Sequence, residues 1–573
     1  MYTQKNTQRG ITLIALVVTI IVLIILAGVS IAMLVGDNGI ITQAQKVAQE
    51  TEQAQKDELQ GFSSLETAIE EALGNVYNEE KGVNVPRMAE GMTPIKFTDP
   101  TSSEKGTVVE TNSDDANWYN YEEKKWANAQ TQDGSMWVWI PRFAYRVNES
   151  TKIFDVVFLI GTTDTYYDES GNIQMAKRCT SEDELVDTSA DYTVHPAFTD
   201  ETSINYRNGG WDREITGIWV AKFEAGYASG NNDAEVKASS VNYSKIKCII
   251  NQIEENGSGS SGIEGLARNW LDGIYGETTT AIKYPVFQPL TYSMNYITNS
   301  DAYNIAKVLT EKGNIYGFTE STDSHLMKNS EWGAVAYLSK SKYGLNTVDL
   351  ALNNINLNSG NKKRTETEGQ TGVNSVYAVT GCTTGNTDGN QKNTTIENIN
   401  ATTGNTAVDG VYTWNQLSGT SASSTGNIYG IYDLSGGIWE KTTSYIAKEN
   451  ENLLLYGVAI AYSNNQLKNI STKYTTVYPC NNSMGNSDED TASINNWKEN
   501  TRIYGDAVRE TSEAGIGNTS WYEDQSTFFG LELVLSDRGG CYWNGEQAGL
   551  FAIGRTHGKN TWYGGFRATL IVA

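Results

Sequence analysis

The sequence has few of the residues on which most metal and nucleophilic chemistry depends. Its three histidines (His195, His325, His557) lie far apart, and none of its five cysteines (Cys179, Cys248, Cys382, Cys480, Cys541) forms a C-x-x-C pair. Zinc-type spacing and a Cys-His couple are therefore poorly supported. An odd cysteine count leaves at least one thiol free or paired between chains; disulfides stay open for a chain outside the cell. Basic charge is also short: 43 Lys+Arg against 68 Asp+Glu gives a net charge of −25. Phosphate recognition needs a basic field, so this balance argues against a nucleic-acid partner. No Walker loop, no G-x-G-x-x-G after a strand and no G-x-S-x-G is present. Asp and Asn are frequent in the loops without EF-hand spacing, so no cofactor is expected, the metal content is undetermined and structural calcium stays open.

What is there is length and aromatic content. At roughly 150 residues per domain, 573 residues allow about four domains or fewer large ones. Aromatics make up 10% of the chain, too many for a disordered one, while hydrophobic content is a low 39%.

The amino end carries an uncharged run, Ile11–Val35 (ITLIALVVTIIVLIILAGVSIAMLV). At about 1.5 Å per residue it reaches roughly 37 Å, enough to cross a bilayer core with some tilt. Lys5 and Arg9 precede it and Asp37 is the first charge after it. The positive-inside rule then puts the amino end in the cytoplasm and the rest outside. A cleaved secretory signal fits less well, because the run exceeds an h-region of about 7–15 residues and lacks an A-x-A exit. The short basic peptide ending in Gly10, followed by Ile11-Thr12-Leu13-Ile14, resembles a type IV prepilin leader. That resemblance implies cleavage between Gly10 and Ile11 by a prepilin peptidase, and pilin-like assembly partners. Ala15 stands where pilins carry a glutamate that pairs with a neighbouring subunit.

Beyond Asp37-Asn38-Gly39, Ile41–Leu73 is rich in Ala, Gln, Glu and Lys and reads as a polar helical stalk. The stretch 74–113 reads as a linker. Trp118–Tyr121 and Lys125–Ala129 flank Glu122-Glu123-Lys124 and suggest a small aromatic hairpin. Met136–Phe143 and Gly217–Glu224 alternate like strands, and Ser300–Lys312 and Ser330–Ser341 like helices. Asn329 or Ser330 would cap the second helix, with Glu331 in its first turn. Asn/Thr/Gly/Ser-rich stretches near 353–426 and 448–520 read as loop-rich insertions.

Two carboxyl-terminal stretches carry the strongest signal: Asn427–Glu440 (NIYGIYDLSGGIWE), and the run from Arg538-Gly539-Gly540 to Gly565-Phe566-Arg567. Glycines such as Gly436, Gly539 and Gly540 permit bends and close approach that a Cβ would block. Trp439 and Phe566 are apolar anchors, and Asp433, Glu440 and Arg567 can form a structural charge network. Ala568–Ala573 reads as a buried closing strand.

Together with His195–Phe198 (HPAF), Trp219–Glu224 (WVAKFE) and Leu326–Leu338 (LMKNSEWGAVAYL), these stretches resemble the formylglycine-generating-enzyme, or sulfatase-modifying-factor, family. The resemblance implies an α+β chain: a pilin-like membrane helix and stalk, then a large C-type-lectin-type head with loop-rich insertions. The boundaries are 1–10 leader, 11–35 membrane helix, 36–75 stalk, 76–135 linker and hairpin, and 136–573 head. The family's oxidases use two cysteines after the R-G-G segment. Those positions are Asn544 and Gly549 here, so no enzyme activity is expected. Cys541 is a lone thiol that reads as a small buried residue.

The same fold serves the variable proteins of diversity-generating retroelements, in which the segment between R-G-G and G-F-R is rewritten. Here that segment is 541–564. Ala548, Gly549, Leu550, Phe551 and Phe566 look like scaffold. Tyr542, Asn544, Glu546, Gln547, Thr556, His557, Lys559, Asn560, Thr561, Trp562 and Tyr563 look like a contact surface, mixing rigid aromatic area with adaptable polar groups. The expectation is a single-pass, cell-surface binding protein whose ligand is a protein or a glycan. A formylglycine-generating-type enzyme and a minor pilin-like adhesion subunit are the alternatives.

Overall fold

Met136–Pro141 (MWVWIP) is apolar on both faces, and a computed structural model of the protein buries all six residues. Residues 76–572 are described, except 179–188, 201–208, 228–284, 295–296, 354–379, 384–411, 482–487, 502–504, 511–515, 519, 542–543, 545–546, 560 and 562. They belong to one unit, Val76–Ala573. The leader with Gly10 and Ile11, the run Ile11–Val35 and the stalk to position 75 lie outside the described residues. No helix among the described residues is long and apolar enough to cross a membrane.

Met136–Pro141 sits at the middle of a seven-stranded antiparallel sheet. The strand order is Thr322–Leu326, Ala568–Val572, Gly217–Ala221, Met136–Pro141, Asn128–Thr131, Met92–Phe97 and Val108–Glu110. Gly217–Ala221 is buried throughout, and its Trp219 faces Trp139 in register, with ring centroids 5.3 Å apart. Each tryptophan buried this fully contributes on the order of 2–3 kcal/mol by the area it removes from water. The strand Ala568–Val572 enters this sheet between two others.

The stretch read as a linker differs. Three strands of the first sheet, Met92–Phe97, Val108–Glu110 and Asn128–Thr131, come from 76–135. Their alternation is short and broken by Pro94, so their burial is set by partner strands and not by a local pattern. The aromatic hairpin is a tight turn with one bridge, Asn120 to Lys125. Trp118 and Trp126 on either side are fully buried, and their indole N–H groups donate to the carbonyls of Asn128 (2.8 Å) and Tyr343 (2.9 Å).

The second sheet orders Thr476–Pro479, Trp439–Ala447, Leu535–Gly539, Gly549–Thr556, Gln525–Thr527 and Ile516–Asn518, with Gly564–Phe566 pairing in parallel onto Trp439–Lys441. The region near 448–520 is more regular than its composition suggests. It supplies Thr476–Pro479 and the helices Glu451–Tyr456, Val458–Ala461 and Glu489–Asn500. Asp488 starts the last of these by accepting the Thr491 N–H at 2.7 Å. The helix Asn329–Ser339 is buried along its whole length. Its cap is Lys328, one residue earlier than expected, because the Glu331 carboxylate reaches back to the Lys328 N–H at 2.9 Å.

Candidate functional site

The two motif stretches meet at Arg567. Its guanidinium grips Glu440 at two points, Nε to Oε2 at 3.0 Å and Nη2 to Oε1 at 2.6 Å, and also donates to the carbonyls of Ala221 (2.7 Å) and Tyr432 (2.8 Å). Asp433 accepts from Asn353 Nδ2 (2.6 Å) and from the N–H groups of Gly381 (2.8 Å) and Glu224 (3.2 Å). Glu224 accepts from Ser293 Oγ (2.6 Å) and the Ile438 N–H (3.1 Å). All four charged groups are buried. The network holds three carboxylates around one guanidinium. Burial pushes Glu224, Asp433 and Glu440 up, Glu440 to about 7, against the pull of Arg567. Gly437 adopts φ +71°, and a Cβ there would stand 2.3 Å from Glu224 Oε1. Gly436, Gly539 and Gly540 also have positive φ. The hydrogen-bond partners named for these four groups all lie within the protein.

The other motif arginine, Arg538, lies on Leu535–Gly539, also fully buried. Its Nη2 donates to the Ala507 carbonyl at 3.2 Å, and its guanidinium lies 5.6 Å from the Trp332 ring.

The segment 541–564 begins with Cys541, which is buried. Its N–H (2.8 Å) and thiol (2.7 Å) both donate to Asn544 Oδ1, and Asn544 Nδ2 donates to Gln525 Oε1 at 3.1 Å. Asn544 therefore folds its own loop. Gln547 is half-buried beside it. The chain then enters the strand Gly549–Thr556, whose Leu550, Phe551, Ala552 and Ile553 are buried, while Gly554, Arg555 and Thr556 are half-buried. Asp524 Oδ2 accepts the Phe551 N–H at 2.9 Å and fixes its start. Past the strand, His557 and Thr561 are half-buried, Lys559 is exposed and Tyr563 packs on Trp439, Cys541 and Ala552. That contact brings the two ends of the segment together. Tyr542, Glu546, Asn560 and Trp562 lie outside the described residues.

Lys441 is a participant that sequence reasoning missed. It sits in register opposite Asp537, with Nζ 3.9 Å from Oδ1, and it donates to the Lys559 carbonyl at 3.3 Å. Burial lowers its affinity for a proton, against Asp537, and raises that of Asp537. The available signal was a lysine inside a strand buried on both faces. His557 is also held below its ordinary value, by burial and then by Lys559. No group of three or more His, Cys, Asp or Glu suited to a metal ion occurs among the described residues.

No family model matches the chain, and no curated protein matches it.

Proposed function

We propose that the chain is a membrane-anchored, surface-displayed binding protein with a C-type-lectin-type head. Its segment 541–564 is the contact site, diversified as in the variable proteins of diversity-generating retroelements. Recognition is the function, without chemical conversion of the ligand. The observation that supports this reading best is a contrast within the segment. Leu550–Ile553 are sealed in a sheet, while His557 and Lys559 reach solvent within a few residues of that strand's end. A loop on a stiff support is where side chains change without costing the fold. The Ile11–Val35 run supports the anchor. Asn544 belongs to the support, since its amide holds Cys541 and Gln525.

The test is genetic. A near-identical template repeat and a reverse-transcriptase gene beside the coding sequence, with strain differences concentrated in 541–564, are the expected result. Strains invariant across this segment, with neither element nearby, would overturn diversification.

A further inference from the structure

Among the described residues of 557–563, the carbonyls of Gly558, Lys559 and Tyr563 each accept a hydrogen bond from elsewhere in the head. The Asn299 N–H donates to Gly558 (3.2 Å), Lys441 Nζ to Lys559 (3.3 Å) and the Trp439 N–H to Tyr563 (2.8 Å). A main-chain acceptor is the same whatever side chain the residue carries. Gly558 is the exception, where a side chain carries a cost. Its φ is +80°, and a Cβ would meet Leu535 Cδ1 at 2.4 Å. The other end of the segment is held in the opposite way, through the Asn544 side chain. Between the anchors, His557 is half-buried and Lys559 exposed, whereas the Thr561 hydroxyl is buried against Gly564.

We propose that, among the described residues of this site, the recognition side chains are His557 and Lys559, on the carboxyl-terminal turn. Lys441 is the positioning residue that holds the main chain at Lys559 in place while those side chains change. The inference rests on the binding reading above for the word recognition, but the anchoring it describes does not depend on any ligand. Lys441 suits the role because it reaches the turn from beneath. Gly564, which lies against its stem, lets the strand Gly564–Phe566 pass close over it: a Cβ there would stand 3.2 Å from Nζ. Its pair with Asp537, at 3.9 Å and without a hydrogen bond, leaves the ammonium free to serve the Lys559 carbonyl. Burial makes a charge-assisted bond of this kind worth more than one in water.

Local amide exchange on the detergent-solubilised full chain, with no ligand added, tests this. Lys441→Met is expected to raise exchange across 557–563 about tenfold, with the strands Met136–Pro141 and Gly217–Ala221 unchanged. Lys441→Arg is expected to restore most of the protection. The double variant His557→Ala, Lys559→Ala is expected to stay within about twofold of the parent. Asn544→Ala is expected to raise exchange at the amino-terminal end of the segment. The proposal is overturned if the double variant exchanges as fast as Lys441→Met, or if Lys441→Met leaves the turn protected. Should Lys441→Met fail to fold, the double variant against Asn544→Ala still decides: equal loosening refutes the division of the segment. A missing template repeat would sink diversification and leave this result standing.

Discussion

Arg538 and Arg567 open and close the same motif, and both are fully buried, yet their surroundings are opposite. Arg567 uses Nε, Nη1 and Nη2, with two of its bonds on one carboxylate. Arg538 donates one hydrogen bond, and its Nε and Nη1 find no partner among the described residues. The acids near it are engaged elsewhere: Asp506 accepts from Tyr478 (2.8 Å) and Glu510 from Tyr337 (3.0 Å). The consequence is visible in proton affinity. Burial lowers Arg538, whereas at Arg567 Glu440 overcomes the same burial and raises it. A buried cation is secured by the geometry of its partners and not by the presence of acids nearby.

Substitution is the sharpest way to break this comparison. Arg567→Met strands Glu440 beside Asp433 and Glu224, and is expected to cost about 3–5 kcal/mol in urea denaturation. Arg538→Met removes a cation that holds one carbonyl and is expected to cost about 1–3 kcal/mol. Equal losses, or a larger one at Arg538, would mean that the two-point grip on Glu440 does not set the difference.

The contrast also marks how far the sequence could be read. The strands at Met136, Gly217 and Ala568 and the helix at Asn329 were legible because burial on both faces leaves an apolar run that needs no context. The joining of Glu440 to Arg567 was legible as a pairing of charge types within glycine-rich stretches. What Asp433 bonds to was not, because Asn353 and Gly381 belong to a stretch whose composition reads as loop. The strands within 76–135 were hidden for the same reason: short segments take their state from distant partners. At the segment 541–564, residue type suggested contact for Asn544, yet a short amide is equally suited to closing a turn, and that is its use here.

Two histidines repeat the comparison with a weaker base. His325 lies between Glu331 (2.7 Å) and Asp323 (3.3 Å), and these acids outweigh burial and raise it from 6.5 to about 9. His195 has rings of Phe143, Tyr145, Phe198 and Tyr337 around it, its Nδ1 accepts the Ala197 N–H at 3.2 Å, and burial lowers it to about 3. The signs oppose. The stability due to His325 is fully present below 6.5 and is lost as pH rises through about 9. That due to His195 is present above 6.5 and is lost as pH falls toward 3. His325→Gln is expected to flatten the alkaline limb of a stability–pH profile by on the order of 3 kcal/mol. His195→Gln is expected to leave that limb alone and soften the acid one. A profile whose alkaline limb survives His325→Gln would remove the two carboxylates as the cause.

The smallest contrast separates neighbours at the edge of the proposed contact site. Gly558 is buried at φ +80°, its carbonyl taken by the Asn299 N–H, and a Cβ there would meet Leu535 and Tyr456. Lys559 is exposed, and its ammonium lies 5.8 Å from the Tyr456 ring. Gly558→Ala has to hold a left-handed conformation and push aside the end of Leu535, which is expected to cost about 1–3 kcal/mol. Lys559→Ala gives up a solvated charge at loose cation–π distance and is expected to change stability by at most about 0.5 kcal/mol. Thermal unfolding of the two variants side by side is the measurement. A substantial loss at Lys559 would place its side chain with the support, as at Asn544, and move the boundary between framework and contact surface beyond it.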